Sequence, residues 1–290
     1  MDNLLSGLDK LGLNPNSFNT IYDNVDDVKT EKDQARKEAE DRKTEAINEA
    51  EYLFDKTITC PICGKQFKTK VVRTGKARLI GTDTDLKPIY AGFEPLKYDV
   101  IACLHCGYAA TSKAFGHITP GQAKMIKENI SSNFCGMTNG SGIYSFMDAI
   151  DRHKLALANV IAMKGKNSER AYLCLKIGWL YRSMSSRIPG RDPNALLLKR
   201  ECDSEEKKFI QSAYEGFSVS YAKELPPICG MDINTLACLL ADLARRCKDY
   251  DTSLRYISAI FSSRVSNSRI KERAREIKEL IEQEKSEIEE

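Results

Sequence analysis

The amino-acid sequence predicts an α+β protein, predominantly α, in which a small β-rich module precedes a helical domain. Three observations carry this reading. Two Cys-x-x-Cys-Gly elements, Cys60-Pro61-Ile62-Cys63-Gly64 and Cys103-Leu104-His105-Cys106-Gly107, lie on segments with β-like composition. From Pro120 onward, apolar residues recur at helical spacing almost without interruption. Within that helical part, small and large residues fall at the spacing of stacked helix pairs.

At 290 residues the chain can bury a substantial core in one or two domains. Its formal net charge of +3 is too small to demand a polyanionic partner, so any nucleic-acid binding would need a local patch. Met1 to Asn14 carries acids among its leucines, with no basic start before an apolar run, and is expected to be neither signal peptide nor anchor. Nothing later approaches the roughly 20 apolar residues of a spanning helix. The expected compartment is therefore the cytoplasm, where paired cysteines point to metal or redox chemistry before disulfides.

Taken in order, residues 1–28 form an N-terminal extension with one short amphipathic piece, Leu4, Leu5, Leu8 and Leu11. Residues 29–54 read as a charged helix or linker with opposite charges four apart, such as Asp33 with Lys37 and Glu38 with Arg42. Residues 55–118 form the β-rich module. Gln66 to Arg73 alternates, Ala77 to Thr82 is short and apolar, and Tyr98 to Cys103 is extended by composition, with glycines and prolines punctuating the runs. Residues 119–140 give a connecting helix, and 141–268 the helical domain, broken at Gly136 to Gly142, Ile188 to Asn194 and Pro226 to Asp232.

In that domain Ala156, Val160 and Met163 fit the second helix of a tetratricopeptide-type unit. Ile177, Gly178 and Tyr181 fit the first helix of the next. Ala213, Phe217 and Ser220 give a further second helix, and Leu240, Ala241 and Ala244 followed by Ser253, Ile257 and Ile260 complete another unit. An ordinary helical bundle is the plainer alternative. Residues 269–290 keep Ile270, Ala274, Ile277, Ile281 and Ile288 on one side and read as a charged capping helix.

The cysteine pairs carry the chemistry. Two residues between paired cysteines let one tight turn present both sulfurs to the same ion, and four thiolates make the closed tetrahedral shell of a structural zinc site. Cys60, Cys63, Cys103 and Cys106 are the expected ligands of one zinc ion, with iron the less favoured metal for the same shell. A glycine after each pair suits a turn that costs other residues strain. A redox dithiol would need only one pair, and four cysteines leave no open position for a catalytic water.

His105 sits inside the second knuckle, where it could compete as a ligand but is expected to point outward at the surface, while His117 and His153 are isolated and are expected on the surface or on helices. Cys135, Cys174, Cys202, Cys229, Cys238 and Cys247 lack paired spacing and read as small buried or half-buried hydrophobes, with Cys135 the one to test for reactivity. A basic stretch through the module supplies Lys68, Lys70, Arg73, Lys76 and Arg78 as candidate phosphate contacts. The thiolates of the metal site offer a competing account of that charge. No catalytic motif is visible, so the chain is not expected to be an enzyme. Asp83 and Asp85 are the first suspects if a site lies hidden between module and helices.

These residues together resemble a bacterial family known as domain of unknown function 2225. The resemblance lies in Tyr52-Leu53-Phe54-Asp55-Lys56, Arg73-Thr74-Gly75-Lys76, Asp83 and Asp85, and Pro95 to Val100 leading into Cys103 to Ala110. It extends to Asn3 to Leu8 and Gly178-Trp179-Leu180-Tyr181-Arg182. Leu104 departs from the proline that similar sequences often carry there. The resemblance implies a zinc-ribbon-like module joined to a tetratricopeptide-like helical domain and implies no activity. The expected function is that of a zinc-binding cytoplasmic adaptor or scaffold that binds another protein through its helices. The alternative is a nucleic-acid-binding regulator that uses the basic ribbon. No membrane partner is expected.

Overall fold

The computed structural model describes residues 7–12, 48–138, 142–190 and 193–289. The charged stretch expected to be a helix or linker, with its Asp33–Lys37 and Glu38–Arg42 pairs, lies almost wholly outside the described residues. Leu8–Leu11 forms one 3-10 turn whose Leu11 packs on the main core.

The module consists of three antiparallel hairpins. β1 (Leu53–Thr59) pairs with β2 (Gln66–Val72) from Leu53↔Val72 to Thr59↔Gln66. β3 (Leu79–Thr82) pairs with β4 (Pro88–Tyr90), with an irregularity between Leu79 and Gly81. β5 (Val100–Ala102) pairs with β6 (Ala109–Thr111). Each loop carries chemistry: the first cysteine pair between β1 and β2, Asp83 and Asp85 between β3 and β4, and the second cysteine pair between β5 and β6.

β2 has the expected alternation, with Phe67 and Thr69 buried and Gln66 and Lys68 outward. β1 begins at Leu53, inside the stretch read as charged helix, because cross-strand pairing to β2 outweighs the polar composition of Asp55, Lys56 and Thr57. β4 and β6 are three residues each, too short to show a period.

The helical part begins at α1 (Pro120–Ile126), which Thr119 and Gln122 cap reciprocally, and continues as one π-helical turn, Lys127–Ser131. Helix then stops, well before residue 140. α2 (Phe146–Ala162) has a second reciprocal cap, Ser145 with Asp148. α3 (Asn167–Ser185), α4 (Pro193–Lys223), α5 (Ile233–Arg246), α6 (Tyr250–Ser262) and α7 (Ser268–Glu289) follow.

Each helix from α2 to α7 packs on its sequence neighbour, α3 on α4 and α5 on α6 most extensively. Gly178 shows why the first pair comes so close: a Cβ there would stand 3.1 Å from the Ile210 side chain of α4. Ala213, Phe217 and Ser220 are buried on α4, as are Ser253, Ile257 and Ile260 on α6. α7 lays Ile270, Ala274, Ile277 and Ile281 against α5 and α6. The Ile288 side chain lies outside the described residues.

The main core crosses the boundary between module and helices. Phe67, Val100, Ile101, Tyr108 and Phe115 share one cluster with Ile150, Leu157, Leu173, Trp179 and Phe209. A smaller aromatic stack, Phe93, Tyr98 and Tyr144, ties the helix preceding β5 to the start of α2, with ring centroids 6.0 and 5.1 Å apart.

Candidate metal centre

The two cysteine loops are built alike. In the first, Cys60 donates its N–H to the carbonyl of Lys65 (3.0 Å), and Gly64 N–H returns to Cys60 O (2.9 Å). In the second, Cys103 N–H reaches Tyr108 O (2.7 Å) and Gly107 N–H reaches Cys103 O (3.2 Å). Both turns require a left-handed residue at the end, and glycine supplies it at φ +72° and +73°. The glycines differ in one respect. A Cβ on Gly64 would meet open space, whereas one on Gly107 would strike the Phe134 ring at 2.7 Å.

Strand pairing brings the loops together. The Sγ atoms of Cys60, Cys63, Cys103 and Cys106 all lie within 4.8 Å of one another. Across the loops, Cys60 Sγ is 3.6 Å from Cys106 Sγ, and Cys63 Sγ is 3.7 Å from Cys103 Sγ. A tetrahedron of sulfurs about 2.3 Å from a central zinc has edges of about 3.8 Å, so the two cross-loop edges match such an ion and the remaining pairs lie within about 1 Å of that length.

Hydrogen bonds from Cys106 and Cys60 hold the Cys103 thiol down to about 2, while donating to Cys103 pushes Cys60 up to about 12, with burial adding to it. Cys106 is raised for the same reason. Neighbouring thiolates this close repel one another, so without a cation among them most of the four keep their protons. A divalent cation would take the place of those protons. Cys60, Cys103 and Cys106 are buried and Cys63 half-buried, and Ile62 N–H already points at Cys60 Sγ (3.4 Å).

The second loop is rooted in the helical part. Asn159 of α2 donates from Nδ2 to Gly107 O at 2.9 Å. The first loop has no such tether among the described residues' hydrogen bonds and depends on its hairpin.

The aspartate loop makes a second junction that sequence reading missed. Asp85, fully buried, accepts from Trp179 Nε1 (2.9 Å), Arg182 Nη2 (2.8 Å) and Lys87 N–H (3.2 Å). Asp83 pairs with Arg182 at 2.8 Å, and Arg182 also holds Glu206 of α4 at 2.7 Å. Arg246 of α5 lies 3.4 Å from Asp83 and 2.7 Å from Asp242, whose other oxygen binds Arg245. Arg245 in turn reaches Glu284 of α7. Although burial alone would raise its pKa, Arg182 and Arg246 hold the Asp85 carboxyl well below the usual range. Asp83 and Asp85, the suspects for a hidden active site, are thus engaged in a clasp between the β3–β4 loop and three helices. The only sequence signal for it was their alternation in a loop; the arginines stand about a hundred residues or more away.

Other candidates fall as follows. Lys68, Lys76 and Arg78 are exposed. Lys70 pairs with Asp55 across the β1–β2 hairpin at 2.9 Å, and Arg73 donates to Leu53 O at 3.0 Å beside the Phe54 ring, so these two are engaged locally. His105 and His117 are exposed as expected. His153 lies on a helix but is fully buried, its Nδ1 2.7 Å from Ala149 O and its Nε2 without a hydrogen-bond partner. Of the unpaired cysteines, Cys174, Cys202 and Cys238 are buried, Cys229 and Cys247 half-buried, and Cys135 is exposed.

No curated protein and no solved structure matches the chain. One family, described as an uncharacterized protein conserved in bacteria, domain of unknown function 2225, matches residues 53–281, from the first residue of β1 to the last buried isoleucine of α7. That span takes in all four cysteines and the clasp from Asp83 to Arg246, and the chain belongs to this bacterial family.

Proposed function

We propose that the chain is a zinc-stabilised cytoplasmic scaffold whose helical domain, built of tetratricopeptide-like pairs, binds another protein. The observation that carries the reading is the closed shell of four sulfurs at tetrahedral spacing, in a module stitched to helices by buried ion pairs. A shell of four thiolates holds structure and leaves no position for substrate. Zinc is favoured over iron because it needs no redox partner and accepts this geometry without preference. None of the ten cysteines is joined in a disulfide, which suits a reducing compartment, and no helix among the described residues is long and apolar enough to cross a membrane. Contact with a protein is supported by three consecutive exposed leucines, Leu196, Leu197 and Leu198, on the first turns of α4.

The test has two arms. Elemental analysis of the purified chain should return one zinc per chain; iron would replace the metal assignment, and no metal would remove it. Photo-crosslinking in living cells from Leu197 should give one protein reproducibly, and the purified pair should associate. Failure to find a reproducible partner from Leu197 or from Phe261 on α6 would overturn the scaffold reading. A nucleic-acid partner is the second reading, favoured by the exposed Lys68, Lys76 and Arg78. It requires that reversing all three to Glu abolish salt-sensitive binding to duplex or single-stranded probes.

A further inference from the structure

Between the module and α3 lies a cleft of about 690 Å³, within the range that holds a drug-sized molecule. Its floor is one face of α3, where Tyr172, Leu175, Lys176 and Trp179 follow one another at helical spacing over about 10 Å. The opposite wall comes from the module, with Tyr90 and Leu96 among its apolar groups. Two ion pairs set the distance between the walls. Lys176 Nζ meets Asp99 Oδ2 at 2.6 Å, and six residues along the helix Arg182 holds Asp83 and Asp85 at 2.8 Å each. Walls fixed in this way neither collapse onto each other nor need to be ordered when a ligand arrives.

The charge in the cleft is unbalanced. Its charged lining residues are Lys113, Lys176 and Asp99, two cations against one anion. Asp99 is ion-paired with Lys176 and lies within the field of Lys113, which stands exposed at the rim beside the hydroxyls of Thr111 and Ser112. An apolar, partly aromatic trough with a cation and hydroxyls at its mouth matches a molecule with an apolar body and a single anionic group.

From this geometry we infer that the cleft between the module and α3 is a binding site for a small amphipathic anion, an aromatic or acyl body bearing one carboxylate, phosphate or sulfonate. The body lies along Tyr172, Leu175 and Trp179, and the anionic group meets Lys113 at the rim. The inference does not depend on whether the helices take a protein partner.

Trp179 is the chain's single tryptophan and lines the cleft, so it reports on the site directly. The full-length, metal-loaded chain is titrated with 8-anilinonaphthalene-1-sulfonate while energy transfer from Trp179 is followed. The expected result is saturable binding at one site per chain, at least tenfold weaker for the uncharged N-phenyl-1-naphthylamine. Lys113→Glu should weaken the sulfonate at least fivefold, and Ser112→Phe, which obstructs the mouth from an exposed position, should abolish transfer. Displacement by decanoate would mark an acyl ligand, and displacement by naphthyl phosphate an aromatic one. The inference is overturned by any of four results: no saturable transfer, equal binding of the neutral analogue, indifference to both substitutions, or displacement by neither competitor.

Discussion

Replacing Asp85 is the sharpest test of how the module is held. The carboxylate is fully buried and accepts three hydrogen bonds, two of them from α3 and one of those from an arginine. Asp85→Asn keeps one acceptor oxygen, for Trp179 on one side or the Lys87 N–H on the other, turns a donor toward the remaining partner and removes the charge opposite Arg182, which together should cost at least about 1.5–3 kcal/mol. Asp85→Ala leaves those donors unpaired in a dry site, and one-sided removal of a buried pair costs about 3–5 kcal/mol. Arg182→Met in the Asp85→Asn background should then cost much less than in the parent, a coupling of at least about 1.5 kcal/mol. Denaturant unfolding followed by Trp179 fluorescence gives the energies, and hydrogen exchange should show residues 79–90 opening first. The acid limb supplies a further check. Because the folded-state pKa is lowered, the clasp's contribution is complete above about pH 4 and fades as pH falls, and Asp85→Asn should lack that fade. An Asp85→Asn chain within about 0.5 kcal/mol of the parent, or additive double-variant energies, would refute the clasp.

Cys60→Ser or Cys106→Ser should lose the metal and raise hydrogen exchange in β1 and β2 before the helices, since binding energy is folding energy in such modules; unchanged protection without metal would show the site to be dispensable. Gly64→Ala should cost about 1 kcal/mol for its left-handed backbone alone, while Gly107→Ala should cost clearly more because the added methyl meets the Phe134 ring; equal thermal shifts would contradict the packing. Burial pushes the His153 imidazole down to about 4, against an ordinary 6.5. The unfolded chain therefore takes the proton first, so this contribution is present above about pH 6.5 and lost toward pH 4, about 3 kcal/mol in all, and stability profiles of parent and His153→Met should diverge over that window.

The four-cysteine cluster was legible because its chemistry is local: two residues between sulfurs and a glycine after them describe one turn without reference to the rest of the chain. The helices were legible for a similar reason, since helical contacts repeat within a few residues. β1 was hidden because its polar outward face reads as linker, and only Gln66 to Val72 reveals its partner. The clasp was hidden for a stronger reason. Neither Asp83-Thr84-Asp85 nor the arginines form a motif, and their meaning arises only when α3 and α5 stand side by side. The same holds for His153, whose burial follows from the packing of α2 against β5 and β6 and from nothing in its flanking residues.

Arg246 and Asp83 are 163 residues apart, and that interval sets an order of events during synthesis. At about 5–20 residues per second, the β3–β4 loop leaves the ribosome roughly 5–20 s before Arg182 and roughly 10–30 s before Arg246, the two arginines that lock it. In that interval two-stranded hairpins of this size are marginal on their own. A metal ion captured early by Cys60, Cys63, Cys103 and Cys106 would keep the first and third hairpins joined until the helices arrive. The ion is then a fastener for the nascent chain as much as for the finished one, and metal starvation should show first in newly made molecules.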